Sequence, residues 1–217
     1  MTIAIVCAGG PKSEVMSFTP FEQRDVIYIG ADRGAIHLME QGIVPKEAIG
    51  DFDSVSQKEY EQIQATVETV DAFQAEKNET DTELAVERAI AYKPTEVILT
   101  GVTGGRLDHM MSAIQLLLRF QEKEKHISFS VRNQQNKLSI LFPGTHQLTK
   151  DSSFQYISFF PLRERVEHIT LTGFRYDIED EQIDFGTTMF TSNELLDETG
   201  TISFSDGICL VVRSSDA

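Results

Sequence analysis

Roughly the first 125 residues alternate short apolar runs with segments that have the spacing of amphipathic helices. The runs Ile3–Ala8, Val26–Gly30 and Glu96–Thr100 have the length of buried strands. The clearest helical stripe is formed by Leu107, Met110, Met111, Ile114, Leu117 and Leu118. Alternation of strands and helices predicts an α/β domain with a mainly parallel sheet and helices on both faces.

Two of the predicted helices begin with the spacing of a capping box. Ser56 is followed three residues later by Glu59, and Thr80 is followed in the same way by Glu83. These signals predict one helix that continues from Ser56 to about residue 65 and another over Asp81–Tyr92.

Roughly the last 90 residues have a different pattern, with many short segments rich in β-branched and aromatic residues. The predicted strands are Ile127–Arg132, Leu138–Phe142, Phe154–Phe160, His168–Thr172, Thr201–Phe204 and Ile208–Val212. Short strands separated by turns such as Asp206-Gly207 predict an all-β sandwich. We therefore place the domain boundary in the polar stretch before His126, giving domains 1–125 and 126–217.

Composition excludes several classes of protein. A net charge of −15 argues against a general nucleic-acid binder, which needs a basic face to displace counterions. No apolar run approaches the ~18–20 residues of a membrane span, and the N-terminus lacks a basic segment typical of a signal peptide. Cys7 and Cys209 each lie in an apolar run, so we expect two reduced thiols and a cytoplasmic protein.

Asp51 and Asp53 follow the predicted strand Glu47–Ile49 in the sequence Gly-Asp-Phe-Asp-Ser. The pair alone fits a polar turn in which aspartates accept backbone N–H groups. It also fits a Mg²⁺ site, since Mg²⁺ prefers carboxylate oxygens together with substrate phosphates. Ligands of open parallel sheets bind at the carboxyl ends of the strands, and this position favours the metal. Phe52 is expected to point inward and anchor the loop.

Two further residues before and at the start of a predicted helix have two interpretations each. Asp81 is either a third metal ligand or an acidic residue that interacts favourably with the helix dipole. Lys77 is either a phosphate contact or a surface charge.

The loop after Glu96–Thr100 is the predicted phosphate site. Gly104 and Gly105 allow close approach of a backbone to an anion, and Arg106 adds a bidentate phosphate donor. Asp108 could contact a ribose hydroxyl or metal-bound water, and His109 is either a ligand or a structural hydrogen-bonding residue. The spacings of a P-loop and of a dinucleotide fingerprint are both absent.

Taken together, these motifs resemble the thiamine pyrophosphokinase family. The resemblance covers nearly the whole chain in order and is carried by Cys7–Gly10, Gly30–Ala35, Gly50–Ser54, Glu76–Ala85, Gly101–His109, Thr191–Glu194 and Gly200–Val212. It implies an enzyme that transfers pyrophosphate from ATP to the hydroxyl of thiamine, with thiamine diphosphate and AMP as products.

The resemblance also implies roles for individual residues. Asp51, Asp53 and Asp81 would hold Mg²⁺ and, with Arg106, form the catalytic set. The predicted ATP-binding residues are Lys77, Asn78, Thr103, Gly104, Gly105, Arg106, Asp108 and His109. The family usually has an aspartate where this chain has Asn78, so Asn78 is not counted as a charged ligand.

Thiamine itself is expected to contact three residues. Asp32 would position the hydroxyl or order its loop, and Ser192 and Asn193 would hold the pyrimidine by hydrogen bonds. Without the resemblance, Ser192 and Asn193 would be interpreted as a polar turn. The chain has no tryptophan to stack on thiamine, so a Phe or Tyr would take that place. The family also implies a homodimer with the active site at the subunit interface.

Two other functions remain open at this point. A metal-dependent nucleotide pyrophosphohydrolase or nucleotidyl transferase would use the same acidic loops and glycines. A nucleotide-sensing or thiamine-binding module would bind the same ligands without turnover.

Overall fold

The computed structural model describes residues 1–72 and 79–216 and divides the chain into two compact units, Met1–Gln134 and Gln135–Ala217. The described part of the first unit holds six strands: β1 Ile3–Cys7, β2 Val26–Ala31, β3 Glu47–Gly50, β4 Thr69–Ala72, β5 Glu96–Thr100 and β6 Ser128–Arg132. Its four helices are α1 Gly34–Glu40, α2 Gln57–Thr66, α3 Asp81–Ala91 and α4 Leu107–Lys123. Two 3₁₀ turns, Lys12–Glu14 and Thr19–Phe21, connect β1 to β2.

The six strands form a parallel sheet in the order β4-β3-β2-β1-β5-β6. Every residue of the central strand β1 is buried, as expected when both faces of a parallel sheet are covered. Ile5 and Cys7 pack with Leu38 of α1 in one core cluster. The predicted α/β class is confirmed.

The predicted capping box is complete at the start of α2, and only one of its two hydrogen bonds is present at the start of α3. At α2, the Ser56 hydroxyl accepts the Glu59 N–H at 3.3 Å, and the Glu59 carboxylate accepts the Ser56 N–H at 2.7 Å. At α3, the Thr80 hydroxyl accepts the Glu83 N–H at 3.2 Å, whereas the Glu83 carboxylate pairs with Arg119. The predicted capping box therefore closes at Ser56 but not at Thr80.

The predicted helix at residues 107–118 exists, but its buried face differs from the predicted stripe. The buried residues of α4 are Ala113, Leu116, Leu117 and Phe120. Leu107 and Met111 are exposed and do not line the neighbouring cleft, which the helix borders through His109, Ser112, Ala113 and Leu116. The three-four spacing correctly identified the helix and misplaced its inner face by part of a turn.

The second unit contains seven strands: β7 Asn136–Leu141, β8 Gly144–Thr149, β9 Tyr156–Pro161, β10 Arg165–Thr172, β11 Ile178–Asp184, β12 Thr199–Phe204 and β13 Cys209–Ser214. They form antiparallel arrangements, β7-β13-β9 and β11-β10-β12-β8. Residues of both arrangements, such as Phe159, Val211 and Ile202, share one core. The predicted all-β class of this half is confirmed.

The strand Ser128–Arg132 belongs to the first unit, although the sequence pattern grouped it with the β-rich half. It pairs in parallel with β5 from Glu96↔Ser128 to Leu99↔Val131. The compact units therefore meet after Gln134, and the assignment of ATP binding to residues 1–125 and thiamine binding to 126–217 stays a prediction. None of the described helices is long and apolar enough to cross a membrane.

Both cysteines lie fully inside the protein. Burial raises the pKa of Cys7 and of Cys209 to about 12, so neither sulfur is a thiolate near neutral pH.

We expect alkylation by iodoacetamide at pH 8 to leave the native protein unmodified and to modify both thiols after denaturation, as measured by intact mass. Rapid labelling of the folded protein would contradict the placement of β1 and β13.

Candidate functional site

A cleft of about 720 Å³ opens at the carboxyl ends of the parallel strands. Loops that follow β1, β2, β3 and β5 all contribute to it, together with the first turns of α3 and α4. The principal lining residues are Gly9, Gly10, Lys12, Asp32, Arg33, Asp53, Thr80, Asp81, Gly101, Thr103, Gly105, Arg106 and His109. The sheet edge predicted from the sequence is therefore a real concave site.

Three carboxylates of this region come together. Each of Asp32, Asp51 and Asp81 offers an oxygen, and these atoms all lie within 4.8 Å of one another. Asp32 follows β2, Asp51 follows β3, and Asp81 is the first residue of α3. Two of the three predicted metal-binding acids are thus brought together, and Asp32, which the sequence pointed to as a substrate residue, completes the group.

The backbone around Asp32 fixes its carboxylate. Asp32 has the left-handed φ of 49°, and its N–H donates to the Ile49 carbonyl at 2.9 Å. Its carboxylate oxygen Oδ1 accepts the Phe52 N–H at 3.1 Å. A Cβ at Gly50, where φ is 153°, would lie 1.9 Å from that same oxygen. A glycine is therefore required beside the acid, and the two loops hold each other in place.

Phe52 anchors the loop that carries Asp51. The ring is buried and packs with Tyr60 of α2, with 5.1 Å between ring centroids. The backbone of Phe52 has a φ of 57°, an unusual conformation for an aromatic residue. The predicted inward orientation of Phe52 is confirmed, and the neighbouring Asp53 lines the cleft.

Crowding of the three acids changes the protonation of Asp32. Burial, a hydrogen bond with Asp81, and the charges of Asp81 and Asp51 raise the pKa of Asp32 to about 7, although the Phe52 N–H acts in the opposite direction. A divalent cation would relieve this repulsion, and an all-oxygen donor set is what Mg²⁺ prefers. The residues present therefore fit a magnesium ion.

Asp53 lies at the wall of the cleft and is not part of the three-carboxylate group. Its N–H donates to Asp51 Oδ1 at 3.1 Å, as in an aspartate turn. The aspartate turn, one of the two alternatives that the sequence left open, is therefore present beside the three-carboxylate group. The predicted role of Asp53 as a metal ligand stays a prediction.

The glycine-rich loop after β5 borders the same cleft. Thr103, Gly105, Arg106 and His109 line it, whereas Gly104 and Asp108 do not. Arg106 Nε donates to Asp108 Oδ1 at 3.1 Å and Arg106 Nη2 to Oδ2 at 2.5 Å, and both side chains are exposed. This pairing lowers the pKa of Asp108 and raises that of Arg106.

The remaining predicted site residues lie elsewhere or are not described. Lys77 and Asn78 fall outside the described residues 1–72 and 79–216. Ser192, in the second unit, is exposed, and its N–H donates to Ser158 Oγ at 2.9 Å. Asn193 is buried; its Oδ1 accepts the N–H groups of Tyr176 at 3.0 Å and Glu194 at 2.9 Å.

Sequence reasoning missed two side chains that shape the cleft. Arg33 donates to the Ser54 carbonyl at 2.9 Å and pairs with Glu59 at 3.0 Å, which ties the β2 and β3 loops together. His37 is bonded to the Gly10 carbonyl at 2.9 Å, and burial lowers the pKa of this imidazole, so it is neutral and donates through Nε2. The position of Arg33 just after the end of β2 was an available signal, whereas His37 lies inside α1 and had none.

Comparisons with known proteins match both halves of the chain. Residues 19–129 match the family model "Thiamin pyrophosphokinase, catalytic domain", and residues 145–209 match "Thiamin pyrophosphokinase, vitamin B1 binding domain". The thiamine pyrophosphokinase of Bacillus subtilis is 39% identical over 215 residues, which is 99% of each chain.

Solved structures give the same result. The crystal structure of thiamine pyrophosphokinase from Bacillus subtilis has a TM-score of 0.91 and 38% identity over 100% of both chains. That of thiamin pyrophosphokinase from Geobacillus thermodenitrificans has a TM-score of 0.89 and 37% identity, covering 100% of this chain and 99% of that one. Thiamin pyrophosphokinase from Candida albicans, at 16% identity and a TM-score of 0.84, shares the fold.

Replacing Asp32 by Asn tests whether the three acids repel one another. The amide keeps an oxygen for the Phe52 N–H and removes one negative charge. At pH 8 in EDTA we expect Asp32→Asn to raise the melting temperature by about 2 °C or more, since ~1 kcal/mol shifts a chain of this size by 2–4 °C. Added Mg²⁺ should stabilise the wild type and not the variant. A lower melting temperature without metal would contradict the repulsion.

Proposed function

Because the chain belongs to the thiamine pyrophosphokinase family, we propose that it transfers a pyrophosphoryl group from ATP to the hydroxyl of thiamine, with Mg²⁺, giving thiamine diphosphate and AMP. The observation that carries the proposal is the convergence of the Asp32, Asp51 and Asp81 carboxylates at a cleft that Asp32 and Asp81 line together with a glycine-rich loop bearing Arg106. The first group suits a cation and the second suits phosphate.

The proposed reaction makes one bond and breaks one. The thiamine hydroxyl oxygen bonds to the β-phosphorus of ATP, the bond from that phosphorus to the oxygen of the α-phosphate breaks, and AMP leaves while the hydroxyl proton is released. Such transfer needs in-line positioning and neutralisation of charge more than covalent work by the protein. When bound, Mg²⁺ would neutralise phosphate oxygens.

We assign the acids to the metal and the loop after β5 to the nucleotide. Asp51, Asp81 and Asp32 would hold the ion, and Asp53 adds a carboxylate at the cleft wall. The exposed pairing of Arg106 with Asp108 is worth little, since solvent screens it, so Arg106 can exchange that carboxylate for a phosphate.

The rest of the nucleotide site remains as predicted from the sequence. Backbone N–H groups around Gly104 and Gly105 would approach phosphate, with Lys77 and Asn78 assisting. Asp108, once released by Arg106, together with His109 and Thr103 would contact the nucleotide.

The proposed thiamine contacts lie in the second unit. The Ser192 hydroxyl is exposed, and Asn193 Nδ2 donates one hydrogen to the Tyr176 carbonyl at 2.9 Å, which leaves its second hydrogen for a ligand. Tyr176 holds the Asn193 amide through its backbone and exposes 60% of its surface. We assign Tyr176 as the aromatic that stacks on thiamine in a chain without tryptophan.

We further propose a cytoplasmic homodimer, with each active site formed at the subunit interface. Four large apolar side chains of the second unit are more than half exposed: Tyr176, Phe185, Met189 and Leu196. Exposed apolar side chains of this size support a partner surface. Two buried, reduced cysteines support a reducing compartment.

The hydrolase and nucleotidyl transferase alternatives are not favoured, because both halves of the chain match one family.

Formation of AMP from ATP and Mg²⁺, measured with and without thiamine, tests the reaction. We expect AMP and thiamine diphosphate in equal amounts, and no AMP above background when thiamine is omitted. AMP formation without thiamine would instead identify a pyrophosphohydrolase. Thermal stabilisation by ATP and thiamine with no product would identify a binding module.

Asp51→Asn and Asp53→Asn separate the two acids of one loop. Asp51 belongs to the carboxylate group, whereas Asp53 lies at the wall, so we expect Asp51→Asn to lower kcat/KM roughly 100-fold or more and Asp53→Asn to lower it less. Circular dichroism would verify that both fold. If both folded variants keep full activity, the metal assignment of this loop is wrong.

A further inference from the structure

A second carboxylate network lies at the carboxyl ends of β1, β5 and β6, outside the acidic group. Glu14 belongs to the 3₁₀ turn Lys12–Glu14 that follows β1, Thr103 belongs to the loop after β5, and Asn133 directly follows β6. These three strands are neighbours in the sheet, in the order β1-β5-β6. One carboxylate therefore connects the loops of three adjacent strands.

The hydrogen bonds of this network form a closed triangle. The Thr103 hydroxyl donates to Glu14 Oε2 at 3.0 Å. Asn133 Nδ2 donates to the same Glu14 oxygen at 2.8 Å and to Thr103 Oγ1 at 2.9 Å. Thr103 thus donates once and accepts once, and both hydrogens of the Asn133 amide are used. Thr103 and Asn133 are nearly fully buried, so these bonds are sheltered from competing water.

The Glu14 side chain also occupies the space beside Gly104. A Cβ added at Gly104, where φ is 73°, would lie 2.2 Å from Glu14 Cγ and 2.5 Å from Glu14 Cδ. A glycine at 104 therefore allows both the left-handed turn and the close packing of the Glu14 side chain against the loop. Glu14 is not among the residues that line the cleft, whereas its neighbours Thr103 and Gly105 are.

From these contacts we propose that Glu14 is a positioning residue that holds the Thr103–Arg106 loop in its anion-accepting conformation. This inference rests on the proposed function, because that function places ATP phosphates against this loop. What matters is the oxygen that accepts two hydrogen bonds, and the negative charge is not required. A carboxylate beside a phosphate site would otherwise repel the ligand, and here it is engaged by two donors and turned away from the cleft.

Two substitutions at Glu14 separate hydrogen bonding from charge. Glu14→Gln keeps a side-chain oxygen that can accept from Thr103 and Asn133, and Glu14→Ala removes it. We expect Glu14→Ala to weaken ATP binding in the presence of Mg²⁺ about 10- to 100-fold, the size usual for residues that orient a ligand-binding group. We expect Glu14→Gln to stay within about 3-fold of wild type.

A matched control lies in the same unit. Tyr92 donates from its hydroxyl to Glu47 Oε1 at 2.5 Å in another carboxylate network, at the amino end of β3. Tyr92→Phe should lower the melting temperature without changing ATP affinity. Asn133→Ala should reproduce the loss seen in Glu14→Ala, and the double variant should lose little more than the larger single loss, because both act through one loop.

Isothermal titration of ATP into each full-length variant, with melting temperatures measured in parallel, decides the matter. In turnover with thiamine, Glu14→Ala should raise the KM for ATP more than it lowers kcat, and Glu14→Gln should restore both. A folded Glu14→Ala with wild-type ATP affinity would overturn the proposal, as would a Glu14→Gln that is as impaired as Glu14→Ala. If Glu14→Ala does not fold, the ATP affinity of Asn133→Ala is compared with that of the wild type instead, and an unchanged affinity would likewise overturn the proposal.

The readout also separates this proposal from the proposed reaction. ATP affinity is measured without thiamine, so a wild type that binds ATP and forms no AMP would overturn the reaction, while the variants would still decide the role of Glu14. A wild type that binds no ATP would overturn both.

Discussion

Two backbone hydrogen bonds extend the pairing of the parallel strands beyond their last residues, and the cleft depends on them. The Gly10 N–H donates to the Gly101 carbonyl at 2.8 Å, which joins the loops after β1 and β5. The Asp32 N–H donates to the Ile49 carbonyl at 2.9 Å, which joins the end of β2 to β3. The lining loops are therefore continuations of the sheet. Their positions follow from the register of the strands, and a site built on such loops is held more firmly than one on free connections.

Electrostatic repulsion within the acidic group acts against the stability that these loop contacts provide. Burial, the hydrogen bond with Asp81 and the like charges of Asp81 and Asp51 raise the pKa of Asp32 to about 7, so part of this rise reflects repulsion among the three acids. The surrounding contacts hold the carboxylates together despite their repulsion. Gly50 leaves room for the Asp32 carboxylate, and the buried ring of Phe52 anchors the adjoining loop. If the proposed cation binds there, it relieves this repulsion, and its binding is then coupled to the stability of the fold.

The sequence predicted the sheet, the position of the site and part of its residue set, and the reasons for the misses are local. The parallel strands and the Ser56 cap could be predicted because hydrophobic periodicity and the capping-box spacing are local patterns of the sequence. The membership of Asp32 in the acidic group depends on left-handed backbone at Asp32 and Phe52, which residue type does not indicate. Strand β11, Ile178–Asp184, escaped prediction because four of its seven residues are acidic and most are exposed, so it lacks the usual alternation. The engagement of Asn193 by backbone groups depends on distant chain segments and has no local signal.

The order of the strands explains how the proposed cation and phosphate sites can share one cleft. Asp32 and Asp51 follow β2 and β3, the glycine-rich loop follows β5, and β1 lies between β2 and β5. β2 and β5 are thus two strand spacings apart, about 10 Å, which keeps Asp32 and Asp51 from the anion-accepting backbone. In that gap the loop after β1 contributes Gly9 and Gly10, which line the cleft and carry no side chains. In the proposed reaction a chain of phosphates can cross over β1, with one end near the cation and the other near Arg106. If any other strand order placed the acids beside the glycine loop, their charge would repel the same phosphates that the loop is shaped to accept.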